Sequence, residues 1–374
     1  MDFSLSDHQK LIRDTVRQFM EAEVRPTIRQ RDREEKFATA ELAKLAEMGC
    51  CGMMVPEEWG GAGMDTIAYA LMIEEVARVD AALAVALGGT NSAVTIPLLN
   101  FGTDAQKKKY LTRLASGEIL GAFCLTEPQA GSDAAAIQTR AVLQNGRDGG
   151  GYRLNGTKTW VTNGGQAGVY IVFAKTNPEA DGKGITAFLV EPGFPGFKIA
   201  RYEDKMGLRT SRTAEIALST LDGGRIGIGA QAVGLAQGAL DESVKYAKQR
   251  RAFGKTIGEF QAIQWMLADM QTEIEAARGL VYYAAWLKDS GAKLGTAASK
   301  AKLYASEMVN RVVYKAVQIH GSMGYSRETD VERMYRDARV ISIYEGTSEI
   351  QRMIIARDLL AHTAKAQEVT VGAL

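Results

Sequence analysis

Three stretches of different hydrophobic period follow one another along the 374-residue chain. From about Ser6 to Ser116 apolar residues recur at helical spacing. Ser6 or Asp7 is placed to cap the first helix, and Gly49, Gly60-Gly61, Gly88-Gly89 and Gly102 punctuate the rest. Thr66 to Val79 sets Ile67 and Leu71 against Glu74, Glu75 and Arg78, which predicts an amphipathic helix with a solvated face. From Gly121 to about Ser219 the period falls to two. Val169, Ile171 and Phe173 alternate, Ile185 to Val190 is nearly all apolar, and Ile216 and Leu218 alternate again. Turn-forming links separate these runs: 145–151, Asn155-Gly156, Asn163-Gly164-Gly165 and Asp181-Gly182. Several short strands of this kind predict a small barrel or sandwich. From Thr220 onward the helical period returns. Ile263, Leu267, Met270, Ile274, Ala277, Val281 and Ala284 form one narrow stripe, and Ala301, Ala305, Met308, Val312, Ala316 and Ile319 form a second, as in a helical bundle. The predicted class is α+β, with a helical domain at 1–120, a β domain at 121–219 and a helical bundle at 220–374.

Composition narrows the function classes. Lys+Arg 45 against Asp+Glu 44 leaves a net charge of +1, which implies no general attraction to nucleic acid or anionic membrane. Cys50, Cys51 and Cys124 have neither disulfide-framework nor metal-ligand spacing, and His8, His320 and His362 lie far from them and from one another. Reduced thiols and no metal are the expectation. No run is read as long enough to cross a membrane and no signal peptide is seen, so a soluble, intracellular protein of cytoplasmic or mitochondrial-matrix type is expected.

Candidate chemistry sits in a few short segments. Ile343-Tyr344-Glu345-Gly346-Thr347-Ser348-Glu349 places one carboxylate beside a glycine just before a helical run from Glu349 to Leu360. A carboxylate held at such a bend can act as a base while nearby backbone N–H groups meet a ligand oxygen. An ordinary helix entry, with Thr347 or Ser348 as cap, explains the same residues. Phe123-Cys124-Leu125-Thr126-Glu127-Pro128-Gln129-Ala130-Gly131-Ser132-Asp133 is a bend whose hydroxyls and N–H groups can bind a polar ring edge or a phosphate, or a plain strand-to-loop transition. Trp160 and Thr162 share one face if their segment is a strand, and a flat heterocycle can lie on that face; a core tryptophan beside a turn competes. Arg250-Arg251-Ala252-Phe253-Gly254 is able to grip a pyrophosphate or to be a solvated helix end. Gln318-Ile319-His320-Gly321-Ser322-Met323-Gly324 either lets the backbone approach a ligand or simply caps a helix. Gly227-Ile228-Gly229-Ala230-Gln231-Ala232 matches a loose dinucleotide fingerprint, but its surroundings read as helix and no acidic residue follows at the required distance, so a nicotinamide fold is rejected.

Taken together and in this order, the segments resemble the acyl-CoA dehydrogenases, nearest the short-chain or butyryl-CoA branch, over nearly the whole chain. Leu125-Thr126-Glu127-Pro128, Gly131-Ser132-Asp133, Trp160-Val161-Thr162-Asn163, Glu203-Asp204-Lys205-Met206-Gly207, Arg250 to Gly254, Arg336-Asp337-Ala338 and Tyr344-Glu345-Gly346-Thr347 carry the likeness. The resemblance implies FAD held non-covalently, and dehydrogenation of a short- to medium-chain acyl-CoA to the trans-2-enoyl-CoA. Glu345 would take the α-proton while a hydride leaves Cβ for flavin N5. The thioester oxygen would meet the backbone N–H at the glutamate, and desolvation would raise the glutamate's pKa. FAD contacts implied are Phe123, Leu125, Thr126, Gly131, Ser132, Trp160, Val161 and Thr162, then Thr347 and Glu349. Arg250, Phe253, Gln261, Gln318, Gly321 and Ser322 complete them, most of this last group reaching the FAD of a neighbouring subunit. Ser132, Asp222, Arg225, Tyr344 and Gly346 would meet substrate. A homo-oligomer, in the family a dimer-of-dimers tetramer, and electron-transfer flavoprotein as electron acceptor are implied as partners. An acyl-CoA oxidase and a catalytically inactive relative acting as a binding partner are the competing functions.

Two departures from the family pattern stand out. Ser322 occupies a position usually held by a second glycine. Ser219 runs directly into Thr220 where family members place about twenty further residues, the length of a long functional loop. One peptide spans only about 3.8 Å between Cα atoms, so the shortening bears on where Asp222 and Arg225 stand.

Overall fold

The computed structural model describes residues 4–144, 151–216, 225–292 and 294–371. Two compact units are resolved by their internal contacts, one of residues 1–73 with 82–224 and the other of residues 74–81 with 225–374. Helices, then strands, then helices follow one another as the periodicity predicts.

The helices up to the first strand are α1 (Asp7–Phe19), α2 (Ile28–Glu34), α3 (Thr39–Glu47), α4 (Thr66–Val79), α5 (Ala81–Gly88), α6 (Ile96–Phe101), α7 (Asp104–Gln106) and α8 (Thr112–Ala115). Ser6 caps α1 through a reciprocal capping box with Gln9. A π-helical turn, Gly89–Thr95, joins α5 to α6. The resulting stretch Ala81–Phe101, with mean hydropathy 1.5, is by length and composition long enough to cross a membrane, contrary to the sequence-based expectation. Its most apolar window is 72% buried. Polar side chains within it serve as internal ties. Asn91 donates to the carbonyls of Cys50 (2.8 Å) and Leu87 (3.1 Å) and accepts from the Met53 N–H (3.1 Å), while the Thr90 hydroxyl accepts from Gly121 N–H (3.2 Å). The three cysteines are buried and free, and burial pushes the Cys50 and Cys51 thiols up to about 12.

Strands β1 (Leu120–Cys124), β2 (Arg140–Gln144), β3 (Gly151–Asn155), β4 (Lys158–Thr162), β5 (Ala167–Lys175), β6 (Ile185–Val190), β7 (Arg201–Tyr202) and β8 (Thr213–Ile216) form two sheets. One has the order β1-β5-β2-β3 with β6 added along β5, and the other the order β4-β8-β7. β1 runs parallel to β5 and β6 antiparallel to it, so β5 is covered on both edges. Its side chains then divide between two cores. Tyr170 and Val172 pack with Val161, Ala214 and Ile216, while Val169 and Ile171 pack with Val94, Leu98 and Leu111. The β6 boundaries coincide with the apolar run Ile185 to Val190.

The second unit is built on α9 (Arg225–Gln249), α10 (Gln261–Asp289), α11 (Ala297–His320), α12 (Asp330–Ala338) and α13 (Ser348–Val371). Every residue of the Ala301 stripe is buried, as are Met270, Ile274, Ala277, Val281 and Ala284 of the other. The rejected dinucleotide fingerprint lies inside α9. Three glycines of α9 have a packing reason, because a Cβ on Gly229 would stand 2.9 Å from Val281, and Cβ atoms on Gly234 and Gly238 would overlap the carbonyl oxygens of Glu74 and Arg78. Gly234→Ala is therefore expected to lower the calorimetric melting temperature by about 5 °C, the effect of overpacking by roughly 2 kcal/mol.

Glu74 and Glu75 do not form the solvated face predicted for α4; both are buried. Arg278 from α10 donates to Glu74 Oε1 from Nε (3.0 Å) and Nη2 (2.9 Å), and Tyr282 donates to Oε2 (2.8 Å). Arg78 donates to Glu75 (3.1 Å) and to Asp241 of α9 (2.9 Å). Burial is the largest influence on Glu74 and pushes its carboxyl above the ordinary range, against the pull of Arg278 and Tyr282.

Candidate active site

In the first unit the loop after β1 and the strand β4 carry the predicted ring-binding residues. Phe123 is half-buried against Phe173 (6.1 Å between ring centres), and Leu125 packs with Ala130 and Ile137. Glu127 and Ala130 exchange backbone hydrogen bonds of 2.9 and 3.0 Å, closing a turn with Pro128 at its second position. Beyond the turn Gly131 and Ser132 are exposed, and a Cβ on Gly131 would meet nothing within 4 Å. The Thr126 carbonyl accepts from the Thr159 N–H (2.8 Å), fixing this loop to β4.

Trp160 and Thr162 both stand away from the buried side of β4, with Val161 buried between them. Regular pleating is not the reason. The β4–β8 register shifts between Lys158 and Val161, and Trp160 has φ +60°, a left-handed backbone that few large side chains adopt. The bulge leaves a tryptophan 59% exposed in the middle of a strand. Asn163 (φ +60°) is fully buried below it and donates to the carbonyls of Ala86 and Gly121, each at 3.0 Å, which ties β4 to α5 and β1.

The sequence reading gave no role to the pair that locks this region. Glu127 is buried and accepts from the Gln138 N–H (2.6 Å), the Thr139 N–H (3.0 Å) and hydroxyl (2.6 Å), the Gln129 amide (2.6 Å) and the Lys158 ammonium. Lys158 is fully buried and also reaches the Leu125 carbonyl at 3.3 Å. Burial alone would raise the Glu127 carboxyl, but these donors outweigh it and hold the group below the ordinary range.

Within the second unit the candidate residues fall into two groups. The first is at the C-terminal ends of α9 and α11, which meet where Tyr246 stacks on His320 (ring centres 4.3 Å apart). Arg250 follows α9 there and is exposed; the hairpin of β9 (Arg251–Ala252) and β10 (Lys255–Thr256) turns at Phe253 (φ +50°) and Gly254 (φ +84°). Phe253 is 94% exposed. Gln261 opens α10, and Gln318, Gly321 (φ +59°) and Ser322 are exposed at the end of α11, where a Cβ on Gly321 would meet nothing within 4 Å.

The second group surrounds Glu345. Glu345 (φ +53°) and Gly346 (φ +86°) are two successive left-handed residues, a bend that a non-glycine residue adopts only under constraint. Thr347 caps α13 by accepting from the Ile350 N–H (3.3 Å), and exposed Glu349 lies in the first turn. The helix-entry reading is thus realised, with Thr347 as the capping residue. The bend puts Glu345 just ahead of a helix N-terminus, whose partial positive charge favours an anion. Gln351, fully buried, donates to the Gly346 carbonyl (3.0 Å) and approaches that of Glu345 (3.4 Å). Lys302, fully buried in α11, donates to the Gly346 carbonyl (2.8 Å). The Tyr344 hydroxyl is bonded to the buried Gln231 amide, and burial pushes it well above its ordinary range. Asp222, the Ser219–Thr220 junction and the Arg225 side chain lie outside what is described.

The sequence falls into three matched segments, the N-terminal domain (residues 6–118), middle domain (122–221) and C-terminal domain (214–360) of acyl-CoA dehydrogenases. The chain belongs to the acyl-CoA dehydrogenase family. It is 43% identical to the short-chain-specific acyl-CoA dehydrogenase of Clostridium acetobutylicum over 95% of its own length and 99% of the relative's. It is equally 43% identical to the acryloyl-CoA reductase (NADH) of Anaerotignum propionicum, over 96% of each chain. Among solved structures, butyryl-CoA dehydrogenase of Megasphaera elsdenii matches with TM-score 0.91 and 42% identity, covering 96% of this chain and 100% of that one. A chain solved in a study of the electron transferring flavoprotein of Acidaminococcus fermentans matches with TM-score 0.93 and 44% identity, with the same coverage. An acyl-CoA dehydrogenase of Bacillus anthracis complexed with FAD matches with TM-score 0.88 and 33% identity over 97% of this chain and 69% of that one.

Two features of these matches bear on the short Ser219–Thr220 join. The middle- and C-terminal-domain matches overlap at 214–221. The C. acetobutylicum alignment runs over 378 positions, whereas 95% of this 374-residue chain is about 355 residues, so the relative carries residues that this chain lacks.

Proposed function

We propose that Glu345 is the base of a flavin-dependent α,β-dehydrogenation of a short- to medium-chain acyl-CoA, giving the trans-2-enoyl-CoA, with electron-transfer flavoprotein as acceptor. The enzyme is an FAD-dependent oxidoreductase of the acyl-CoA dehydrogenase family. The observation that carries the base assignment is the left-handed pair Glu345-Gly346 set directly before the N-terminus of α13.

The residues present fit FAD. An indole 59% exposed on a bulged strand, with Thr162 beside it, suits a flat heterocycle. Gly131 leaves its backbone open to a close approach and the Thr126 and Ser132 hydroxyls are donors matched to a pyrophosphate, while Arg250 and Gly321 would be brought to the cofactor by a second subunit. When bound, FAD supplies the two-electron oxidising capacity that the protein side chains lack.

What this chain's own residues do is hold and accept a proton. Glu345 removes the α-proton of the thioester, a weak acid that a carboxylate deprotonates only where the developing enolate oxygen is stabilised. The α13 N-terminus and the backbone N–H at the glutamate supply that stabilisation. Tyr344 and Gly346 frame the thioester, and Tyr344 keeps its proton because burial pushes its hydroxyl up. Ser132, Asp222 and Arg225 would contact the substrate.

Gln318 follows Lys302 by sixteen positions in α11, about 24 Å along a helix axis. The Arg250–Phe253–Gln318–Gly321–Ser322 group is therefore remote from the Glu345 bend within one unit. That separation supports assigning it to the FAD of a second subunit, which makes the functional unit at least a dimer. Acyl-chain length is assigned to Gly88–Leu99, whose small residues Gly88, Gly89, Thr90, Ser92 and Ala93 permit a group longer than butyryl.

The test is the visible spectrum of the purified protein, titrated anaerobically with butyryl-CoA and then octanoyl-CoA. Flavin bands that bleach at stoichiometric thioester are expected, and the better bleaching agent identifies the chain length. A flavin that stays oxidised with both overturns the assigned substrate class, and a protein without flavin favours the inactive relative.

A further inference from the structure

We infer that Lys302 and Gln351 are positioning residues for the Glu345 base, holding two carbonyls of the left-handed bend so that the carboxylate is presented in one orientation. The inference rests on the assignment of Glu345 as base. Neither residue was singled out by sequence motif, and each makes its contact from a different helix.

The geometry is specific. Lys302 Nζ lies 2.8 Å from the Gly346 carbonyl oxygen, and Gln351 Nε2 lies 3.0 Å from the same oxygen and 3.4 Å from that of Glu345. Both side chains are fully buried. A lysine without exposure, among the small residues Ala298, Ala301 and Ala305 of α11, carries a large desolvation cost that a purely packing role would avoid with Leu or Met. Gln351 Oε1 is buried with no hydrogen-bond partner among the described residues. The orientation of that amide is therefore set by its two carbonyl contacts alone. A Cβ on Gly346 would stand 2.5 Å from Gln351 Nε2, so the amide is packed directly against the bend.

Two successive left-handed residues persist only where their surroundings over-determine them. Here the constraint is polar and directional. In a planar trans peptide the N–H opposes the C=O. Drawing the carbonyls of Glu345 and Gly346 toward α11 and α13 turns the N–H groups of Gly346 and Thr347 the opposite way. The same constraint fixes the Cα–Cβ vector of Glu345. Without it the bend can relax toward ordinary backbone, swinging the carboxylate away from the α-carbon of a bound thioester.

The test uses holoenzyme variants Lys302→Met, Gln351→Met and Glu345→Gln, each checked for flavin content and melting temperature. Three further readouts are the kcat and KM pair with butyryl-CoA, α-hydrogen exchange of the thioester into D2O followed anaerobically by NMR, and amide hydrogen exchange over 343–352 in flavin-free protein. Lys302→Met is expected to lower kcat and α-exchange about 100-fold, the cost of a misplacement near 1 Å, with KM moving less than about threefold. Amide exchange should quicken over 343–352 while α9, α10 and the rest of α11 are unchanged. Ethylammonium added to Lys302→Ala should restore about tenfold of the lost rate, which a packing role would not allow.

Rates within about threefold of the parent, or a fall that only tracks flavin loss or global unfolding, would overturn the inference. Where Lys302→Met fails to fold, Gln351→Met, which removes only the amide donor, carries the same expectations and the same refuting result. α-Exchange that survives in Glu345→Gln refutes the base assignment itself. α-Exchange lost there but untouched in Lys302→Met and Gln351→Met refutes the positioning role alone.

Discussion

Glu345→Gln is expected to abolish turnover with butyryl-CoA, by about 10⁴-fold in kcat, while flavin content and thioester affinity stay near the parent's. The figure is the upper end of what a positioned general base supplies. The isosteric amide keeps the backbone contacts from Lys302 and Gln351 and the cap at Thr347, so the bend should survive the substitution. Glu345→Asp gives an intermediate result. It keeps the carboxylate but withdraws it by one methylene, a displacement worth about 10² in rate when the reacting atoms must meet near van der Waals distance. The ordering parent, Asp, Gln is what a proton-abstracting role requires. Anaerobic stopped-flow reduction of the flavin by butyryl-CoA measures the step directly. Equal rates for Asp and Gln would show that neither the charge nor the basicity of a shortened carboxylate contributes, and a Gln variant within tenfold of the parent would remove Glu345 from the chemistry.

Much of this arrangement is legible in the amino-acid sequence. The stripes Met270 to Ala284 and Ala301 to Ile319 are core because a helix repeats its faces every 3.6 residues whatever it packs against. β6 spans Ile185–Val190 because an apolar run bounded by turn residues has few other uses. Ser6 caps α1 because the cap and its Gln9 partner are three positions apart in sequence. In each of these the cause is local.

Where the cause is distant in sequence, local pattern does not carry it. Glu74 and Glu75 look solvated on α4, yet Glu74 is buried and accepts hydrogen bonds from Arg278 and Tyr282, more than two hundred positions later. Lys302 lies in register with Ala298, Ala305 and Val309, all buried, and this second α11 stripe was a signal that a charged residue was inside. Its partner, the Gly346 carbonyl, leaves no mark in side-chain sequence. Trp160 and Thr162 were expected to share a face by simple alternation. They do turn the same way, through a bulge and a left-handed tryptophan that periodicity does not encode. The run Ala81–Phe101 was underestimated because the polar residues Thr90, Asn91, Ser92 and Thr95 interrupt it, although each is buried.

Lys158→Met is expected to cost about 3–5 kcal/mol, because it leaves the buried Glu127 carboxylate without its cation. For a domain of this size that is a fall of about 10 °C in melting temperature by calorimetry. The companion Glu127→Gln leaves the ammonium of Lys158 buried and should cost a similar amount. The double variant should be more stable than the sum of the two, since the pair is then absent rather than broken. Strict additivity would show that the two side chains do not stabilise one another. The pH dependence has a definite sign. The Glu127 carboxyl is held below its ordinary range, so the unfolded chain binds the more protons as the solution is acidified. Its contribution is complete above the ordinary carboxylate range and disappears as the pH falls through the lowered value. The gap in melting temperature between the parent and Glu127→Gln should accordingly begin to close as the pH falls below about 4.3. Lys158 also donates to the Leu125 carbonyl and anchors the loop that leads to Ser132, so the folded fraction of Lys158→Met should also bind FAD more weakly. Fluorescence titration of the flavin-free protein measures that loss, and a flavin affinity equal to the parent's would confine the pair to stability alone.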